Sequence, residues 1–256
     1  MAPGAPGIAP RWTTSSKEGV GTSISQESNV HFTLSHGILN EVYYPQTDTA
    51  AVRDMGLLIT NGKNFFEEEK RHTKSTTKQI EPGVPAYNII NECGDGRYKI
   101  SKFIVTDPSR NTILQKVKFE KFDDDSYRLY ALLAPRLNNQ GSDNSGWLGH
   151  YENHPILFAE NGGKFLAMVC DRPWVRRSVG YVGESDGWQI LNRYRWLSEE
   201  YTEAYDGNIG LTGEIDMEGG DFVIAIGFGD THENAARAAI ESIEEGFDYV
   251  AEQYVS

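Results

Sequence analysis

The feature that most constrains the fold is a long succession of short apolar runs between residues 21 and 229. These runs are rich in Val, Ile, Phe, Tyr and Thr, and they are separated by Gly, Asn and Asp. This is the pattern of β-strands bounded by turns. Turn pairs such as Asn61-Gly62 and Gly219-Gly220 supply the positive φ angles that tight hairpins require. The sequence therefore predicts an all-β fold in which two large antiparallel sheets pack face to face.

The last part of the chain has a helical pattern instead. Apolar residues recur at steps of three and four residues, at Ile240, Ile243, Phe247, Val250 and Tyr254. They form one face of a helix, for which Asp230 is the expected cap and Glu233 the third residue of a capping box. We therefore divide the chain into a β domain (residues 1–229) and a helical segment (residues 230–256). This helix can pack on the sandwich, but the apolar stripe continues to the chain end with no Gly or Pro after it. We favour a linker helix leading to a further domain.

Two internal segments depart from the strand pattern. Residues 137–151 are polar and rich in glycine, so they are predicted to form a long loop. Residues 185–205 combine two Trp with three Tyr at helix-like spacing, and we expect a short helix there.

Charge and composition exclude several classes of partner. The chain has 24 Lys and Arg against 37 Asp and Glu, a formal net charge of -13, and this field repels phosphate backbones. No nucleic-acid partner is expected. No apolar run reaches the roughly 18 to 20 residues that cross a bilayer, so no membrane partner is expected either. The chain has none of the motifs that bind nucleotide cofactors and no zinc-ligand spacing, so we expect no cofactor and no metal.

Cys93 and Cys170 are the two cysteines of the chain. They are far apart in sequence and fit one bridge or two buried thiols equally well. The opening residues 1–10 have neither a basic nor an apolar signal region, so they are not a secretory signal as they stand. They have the composition of a mature terminus behind an added methionine, as in an exported protein.

A catalytic constellation is suggested at one place. His150, Glu152 and His154 alternate, so on a strand their side chains would share one side, as an acid/base pair acting on a sugar requires. A surface edge strand with hydrogen-bonding histidines would have the same pattern. The acidic runs at residues 67–69 and 123–125 are interpreted as solvated faces.

The chain resembles a known family at several motifs. The stretch from Gly37 through Tyr43-Tyr44-Pro45 and Asp48 to Arg53-Asp54 is similar to the signature segment of the amino-terminal domain of bacterial glucoamylases and glucodextranases, glycoside hydrolase family fifteen. Residues 2–7, 17–21, 185–188 and 211–216 support the resemblance. It implies a supersandwich similar to galactose mutarotase, followed by a helical linker and an (α/α)6 barrel. By resemblance the two catalytic glutamates lie in that barrel, so no residue of this chain is assigned a catalytic role.

The resemblance implies a non-catalytic module that packs against and supports the barrel of a glucan exo-hydrolase, a secreted or periplasmic enzyme acting on an α-glucan. The linkage cleaved, α-1,4 or α-1,6, stays open. The alternatives are a sugar epimerase that uses the histidine pair with Glu152, and a carbohydrate-binding module. Candidates for contact with the barrel or with carbohydrate are Tyr43, Tyr44, Pro45, Asp48, Arg53, Asp54 and Trp188. Arg53 and Asp54 could equally form an internal pair that holds their loop to its own domain.

Overall fold

A computed structural model describes residues 1–255 of the chain. Within these residues the strands are β1 (Gly19–Thr22), β2 (His31–Ser35), β3 (Ile38–Tyr43), β4 (Ala50–Thr60), β5 (Phe66–Glu68), β6 (Thr73–Gln79), β7 (Tyr87–Cys93), β8 (Tyr98–Thr106), β9 (Thr112–Lys121), β10 (Arg128–Pro135), β11 (Asn144–Tyr151), β12 (His154–Asn161), β13 (Lys164–Cys170), β14 (Trp174–Tyr181), β15 (Glu203–Gly207), β16 (Ile209–Ile215) and β17 (Phe222–Gly229). The helices are α1 (Glu69–His72), α2 (Gly187–Tyr194), α3 (His232–Glu245) and α4 (Phe247–Glu252).

The strands form two antiparallel sheets, as the sequence predicted. The eight-stranded sheet has the order β1-β2-β3-β4-β10-β16-β14, with β5 paired to β4. The nine-stranded sheet has the order β15-β11-β12-β13-β17-β9-β8-β7-β6. Most neighbours in each sheet are consecutive hairpin partners, because the Gly and Asn turns reverse the chain between them.

The main core fills the space between the two sheets, where Phe32, Leu57, Tyr98 and Leu211 are buried. Two smaller apolar clusters lie on the outer faces. One lies under α3 and α4 on the nine-stranded sheet, and the other lies under α2 on the eight-stranded sheet. At its centre each sheet is covered on one face by the other sheet and on the other face by helices. Every residue of β16 and β17 is therefore buried.

The helical tail packs on the nine-stranded sheet of the same domain. Its predicted apolar face, including Ile240, Phe247 and Val250, is buried there. The cap is Thr231, whose side chain accepts from Asn234 N, so the prediction of Asp230 was wrong by one residue. The helix also breaks at Gly246, where φ is 97°. That this segment continues into a linker stays a prediction.

The predicted loop at residues 137–151 was wrong in its second half, which forms strand β11. This strand is paired on both sides, with β12 and β15, and pairing on both sides outweighs its polar, glycine-rich composition. The glycines of β11 allow neighbouring side chains to pack closely against the strand, because a Cβ on Gly146 would lie only 2.7 Å from Ile209 Cδ1. The predicted short helix is confirmed as α2, where Asp186 caps Trp188 N at 2.8 Å.

Cys93 and Cys170 are both buried free thiols, which settles the alternative that the sequence left open. Burial raises the pKa of the Cys170 thiol to about 12. Within residues 1–255 no helix has the length and apolar character needed to cross a membrane.

Candidate functional site

A cavity of about 330 Å³ lies on the outer face of the eight-stranded sheet. Its floor is apolar and includes Leu58 and Leu132 from the neighbouring strands β4 and β10. The indole of Trp188 on α2 forms one wall, and the amino-terminal residues Ile8 and Ala9 form another. A concave space of this size with an apolar floor and a few polar groups is typical of a binding site. We call it the Asp54 cavity.

Three of the sequence candidates meet in the Asp54 cavity. Arg53 and Asp54 come from β4, and Trp188 comes from the first turn of α2. The indole Nε1 of Trp188 donates to Glu68 Oε2 at 3.2 Å, and its ring meets the ring of Phe66 edge-on at 5.6 Å. The tryptophan is therefore held in place at the cavity wall by a hydrogen bond and an aromatic contact.

Charges along the cavity alternate in sign. Asp54 accepts from Arg53 Nη2 at 3.2 Å and from Lys70 Nζ at 3.1 Å. Lys70 Nζ also lies 3.4 Å from Glu68 Oε1, and Arg71 Nε lies 3.0 Å from Glu68 Oε2. Burial raises the pKa of Asp54, but the charges of Arg53 and Lys70 outweigh burial and hold that pKa below its usual value. Asp54 is therefore an ionised carboxylate at neutral pH.

The Arg53–Asp54 contact is the internal pair that the sequence left as an alternative to an interface role. Cations are nevertheless in excess around the cavity. Arg11 also lines it, so its walls carry the side chains of four cationic residues. The carboxylates available to them are those of Asp54 and Glu68, because the carboxylate of Asp186 accepts backbone N–H groups as the cap of α2. In a chain of net charge -13, this cavity is a local positive region.

The two tyrosines of the signature segment lie at the other end of β3, away from the cavity. Tyr44 is buried, and its ring stacks on that of Phe228 at 5.3 Å. It is a core side chain. Tyr43 is half-buried and donates from its hydroxyl to Glu41 Oε2 at 2.5 Å; burial and this bond raise the pKa of Tyr43.

Pro45 and Asp48 lie in the turn between β3 and β4. Pro45 follows a cis peptide bond and is half-buried, whereas Asp48 is exposed. The turn is held by Tyr44 N, which donates to Thr49 O at 2.9 Å, and by Asn139 Nδ2, which donates to Asp48 O at 3.0 Å. The signature segment therefore has two parts. Residues 43–48 form a packed turn, and Arg53 and Asp54 line the Asp54 cavity.

The alternation of His150, Glu152 and His154 does not place their side chains on one strand face. The hairpin between β11 and β12 reverses at Glu152, whose φ is 52°, and His154 pairs with Tyr151 across the turn. The expectation of a shared strand face was therefore wrong, because the chain turns inside the motif. His154 Nε2 lies 3.9 Å from Glu244 Oε1 on α3.

The acidic run at residues 67–69 is not a solvated face, and this expectation was wrong. Glu68 faces the Asp54 cavity and Glu69 is fully buried. Glu69 Oε1 lies 2.6 Å from Lys102 Nζ and accepts from Asn91 Nδ2 at 2.6 Å. The sequence signal that could have revealed this is a lysine at an inward position of the alternating strand β8. Within residues 1–255 no cluster of three or more His, Cys, Asp or Glu side chains could hold a metal ion.

Comparisons with known proteins agree with the resemblance found in the sequence. The family model described as "Glucodextranase, domain N" matches residues 2–256. A glucoamylase from Clostridium sp. (strain G0005) is 34% identical over 253 residues, covering 98% of this chain and 36% of that protein. A bacterial glucoamylase solved in complex with acarbose superposes with a TM-score of 0.97 at 33% identity, covering 99% of this chain and 38% of that one.

More distant structures share the fold alone. An α-mannosidase of family GH92 from Bacteroides thetaiotaomicron has a TM-score of 0.52 at 10% identity, over 91% of this chain and 34% of that one. The chain thus spans a little over a third of the length of the glucoamylases that it matches. With a match over residues 2–256 and a superposition that covers nearly all of its length, the chain belongs to the family of glucodextranase N domains.

Proposed function

We propose that this chain is the non-catalytic amino-terminal domain of a glucan exo-hydrolase of the glucoamylase or glucodextranase kind, and that it packs against and supports a downstream (α/α)6 barrel. The observation that carries the proposal is the near-complete match to glucoamylases that are much longer than this chain, with 36% and 38% of their lengths covered. The remaining length in those proteins leaves room for a catalytic domain. The parent's substrate is then an α-glucan, cleaved from its end at α-1,4 or α-1,6 linkages.

The state of the cavity carboxylates supports a non-catalytic role. Glycoside hydrolysis requires a carboxylic acid that is still protonated near neutral pH, facing a second carboxylate across the sugar. The pKa of Asp54 is instead lowered by Arg53 and Lys70. Of the three carboxylates that line the cavity, those of Asp54 and Glu68 lie 3.0 to 3.4 Å from cations, and that of Asp186 accepts backbone N–H groups as the cap of α2. These contacts use the carboxylates to hold the surface of the domain together.

We assign the Asp54 cavity as a contact with the barrel. Its excess of cations suits an acidic side chain of the neighbouring domain, and its apolar floor suits an inserted apolar side chain. Arg71 has a side chain that is 63% exposed, so it is accessible to a partner at the rim. Asp48, exposed in the turn after β3, is a second candidate contact.

The epimerase alternative loses the geometry on which it rested, because Glu152 lies in a turn and not on a strand with the two histidines. The location of the parent enzyme is also proposed here, as secreted or periplasmic. The size of a polymeric α-glucan, which does not enter cells intact, supports this location.

The proposal is tested by measuring association of this chain with the separately expressed downstream domain, using analytical ultracentrifugation. We expect a complex, and we expect Arg11→Glu at the cavity rim to weaken it at least tenfold. The matched control is Lys78→Glu, the same charge change on the exposed edge strand β6, which should leave association unchanged. Absence of a complex with the wild-type chain would overturn the proposal, and an equal loss in both variants would overturn the assignment of the cavity.

A further inference from the structure

A second cavity, of about 530 Å³, opens on the eight-stranded sheet and is lined by Gly62, Arg128, Val175, Arg176, Trp196 and Glu214. None of these residues lines the Asp54 cavity. They come from the turn after β4, from β10, β14 and β16, and from the segment that follows α2. We call this the Glu214 cavity.

Glu214 is an unusual residue to find at such a place. It is 6% exposed. Its carboxylate Oε2 is buried and makes no hydrogen bond of good geometry among the residues that the structure describes, and the Tyr130 hydroxyl is a weak donor to this carboxylate. Arg176 lies directly opposite Glu214 in the sheet register, and its Nε is likewise buried and unpaired. A buried acceptor and a buried donor that line one cavity without full pairing can be satisfied by a polar ligand.

The wall of the Glu214 cavity presents an aromatic surface. Trp196 is 39% exposed and the neighbouring Val175 is 56% exposed. The guanidinium of Arg176 lies 5.2 Å from the centre of the Trp196 ring and donates from Nη2 to Glu200 Oε2 at 3.2 Å. These contacts fix the orientation of Arg176 beside the indole.

The chemistry of these groups selects one class of ligand. An anion would bind the two arginines but would be repelled by Glu214, whereas a cation would bind Glu214 but would be repelled by Arg128 and Arg176. A neutral polyhydroxylated ring has donors for the carboxylate, acceptors for the guanidiniums, and a C–H face that packs on an indole. These are the properties of a pyranose.

We propose that the Glu214 cavity binds a pyranose unit of an α-glucan, with the sugar ring against Trp196 and its hydroxyls bonded to Glu214, Arg128 and Arg176. The choice of a pyranose follows from the cavity, and the choice of a glucan rests on the proposed function. Burial raises the pKa of Glu214 while Arg128 and Arg176 oppose that rise. Of the residues that line this cavity, Glu214 alone carries a carboxylate, and cleavage needs two facing each other across the sugar, so the site holds glucan and does not cleave it. One stacked ring gives weak affinity, with a Kd on the order of 1 mM.

The test is a titration of the ¹⁵N-labelled chain with maltotriose and, separately, with isomaltotriose, followed through backbone and indole N–H signals. We expect saturable shifts that include the Trp196 indole. Trp196→Ala and the isosteric Glu214→Gln should each weaken binding at least tenfold. The control is Trp12→Ala, which removes a 60% exposed tryptophan outside this cavity and should leave the affinity unchanged.

Several results would overturn the inference. These are no shifts with either sugar, shifts that avoid the Glu214 cavity, or equal affinity in Trp196→Ala and Trp12→Ala. Because Trp196 is partly exposed, its variant should fold, and an unchanged melting temperature checks this. If the sugar titration fails, the proposal that this domain supports the barrel is unaffected, because that proposal is tested by association with the downstream domain. Conversely, sugar binding without that association would overturn the proposed function alone.

Discussion

The ion pair between Lys102 and Glu69 offers a quantitative test of how the two sheets are held together. Both side chains are 0% exposed, and Lys102 Nζ lies 2.6 Å from Glu69 Oε1. The carboxylate has two further donors, Asn91 Nδ2 at 2.6 Å and Leu57 N at 2.9 Å, and both are neutral. Lys102→Met therefore removes the one cation of this group and leaves a buried carboxylate without a counter-charge.

Removing one partner of a buried pair costs about 3–5 kcal/mol, so Lys102→Met should lower the free energy of unfolding by that amount. For a domain of this size the loss corresponds to a fall in Tm of roughly 6–20 °C. The double variant Lys102→Met with Glu69→Gln should recover at least about 1 kcal/mol of this loss, since a neutral amide needs no counter-charge. Urea unfolding followed by circular dichroism measures all three proteins.

The matched control is on the same strand. Lys99 lies 3.0 Å from Glu120, and the two side chains are 30% and 31% exposed. Lys99→Met should cost less than about 1 kcal/mol because water screens the exposed pair. Equal losses in Lys99→Met and Lys102→Met would refute the reasoning, as would a double variant that is less stable than Lys102→Met.

Three further predictions follow from burial and close packing. A Cβ on Gly227 would lie 2.3 Å from a carbonyl oxygen of α3, so Gly227→Ala should cost about 1–3 kcal/mol in urea unfolding, whereas Gly94→Ala, with 3.7 Å to its nearest contact, should be nearly neutral. Asp54 has a folded pKa below its unfolded value of 3.8, so it stabilises the fold above that pH and loses this contribution as pH falls below it. Asp54→Asn should therefore flatten the loss of stability below pH 3.8 in urea unfolding. With the thiol pKa of Cys170 near 12 and Cys93 buried, a thiol reagent at pH 8 should label the native chain far more slowly than the urea-unfolded chain.

The sequence predicted those strands in which the alternation of apolar and polar residues matches the alternation of buried and exposed side chains in the sheet. Strand β7, which lies next to the edge strand β6, alternates between buried and exposed residues throughout, so its period of two is visible in the chain. Strand β11 was missed because its glycines, Gly146 and Gly149, resemble a loop when they are considered alone. Their absent side chains are required by neighbours such as Phe158, 2.8 Å from where a Cβ of Gly149 would lie, and that requirement arises only in the folded sheet.

The candidate site was predictable in its residue types but not in its arrangement. Arg53 and Asp54 belong to one motif and Trp188 to another, and the structure places all three around one cavity. Nothing local in the sequence indicates that a strand and a distant helix meet there. Glu214 was missed for the same reason. A carboxylate in the motif at residues 211–216 is an ordinary feature until the pairing of three strands buries it.

The central claim is that this domain does no chemistry and supports one that does. The most direct measurement is glucose release from maltooligosaccharides and isomaltooligosaccharides by the chain alone, by the downstream domain alone, and by the two mixed. The account predicts no release by the chain, weak or short-lived release by the downstream domain, and a gain on mixing. Release by the chain alone would contradict it, because a catalytic carboxylate pair would then lie within these residues.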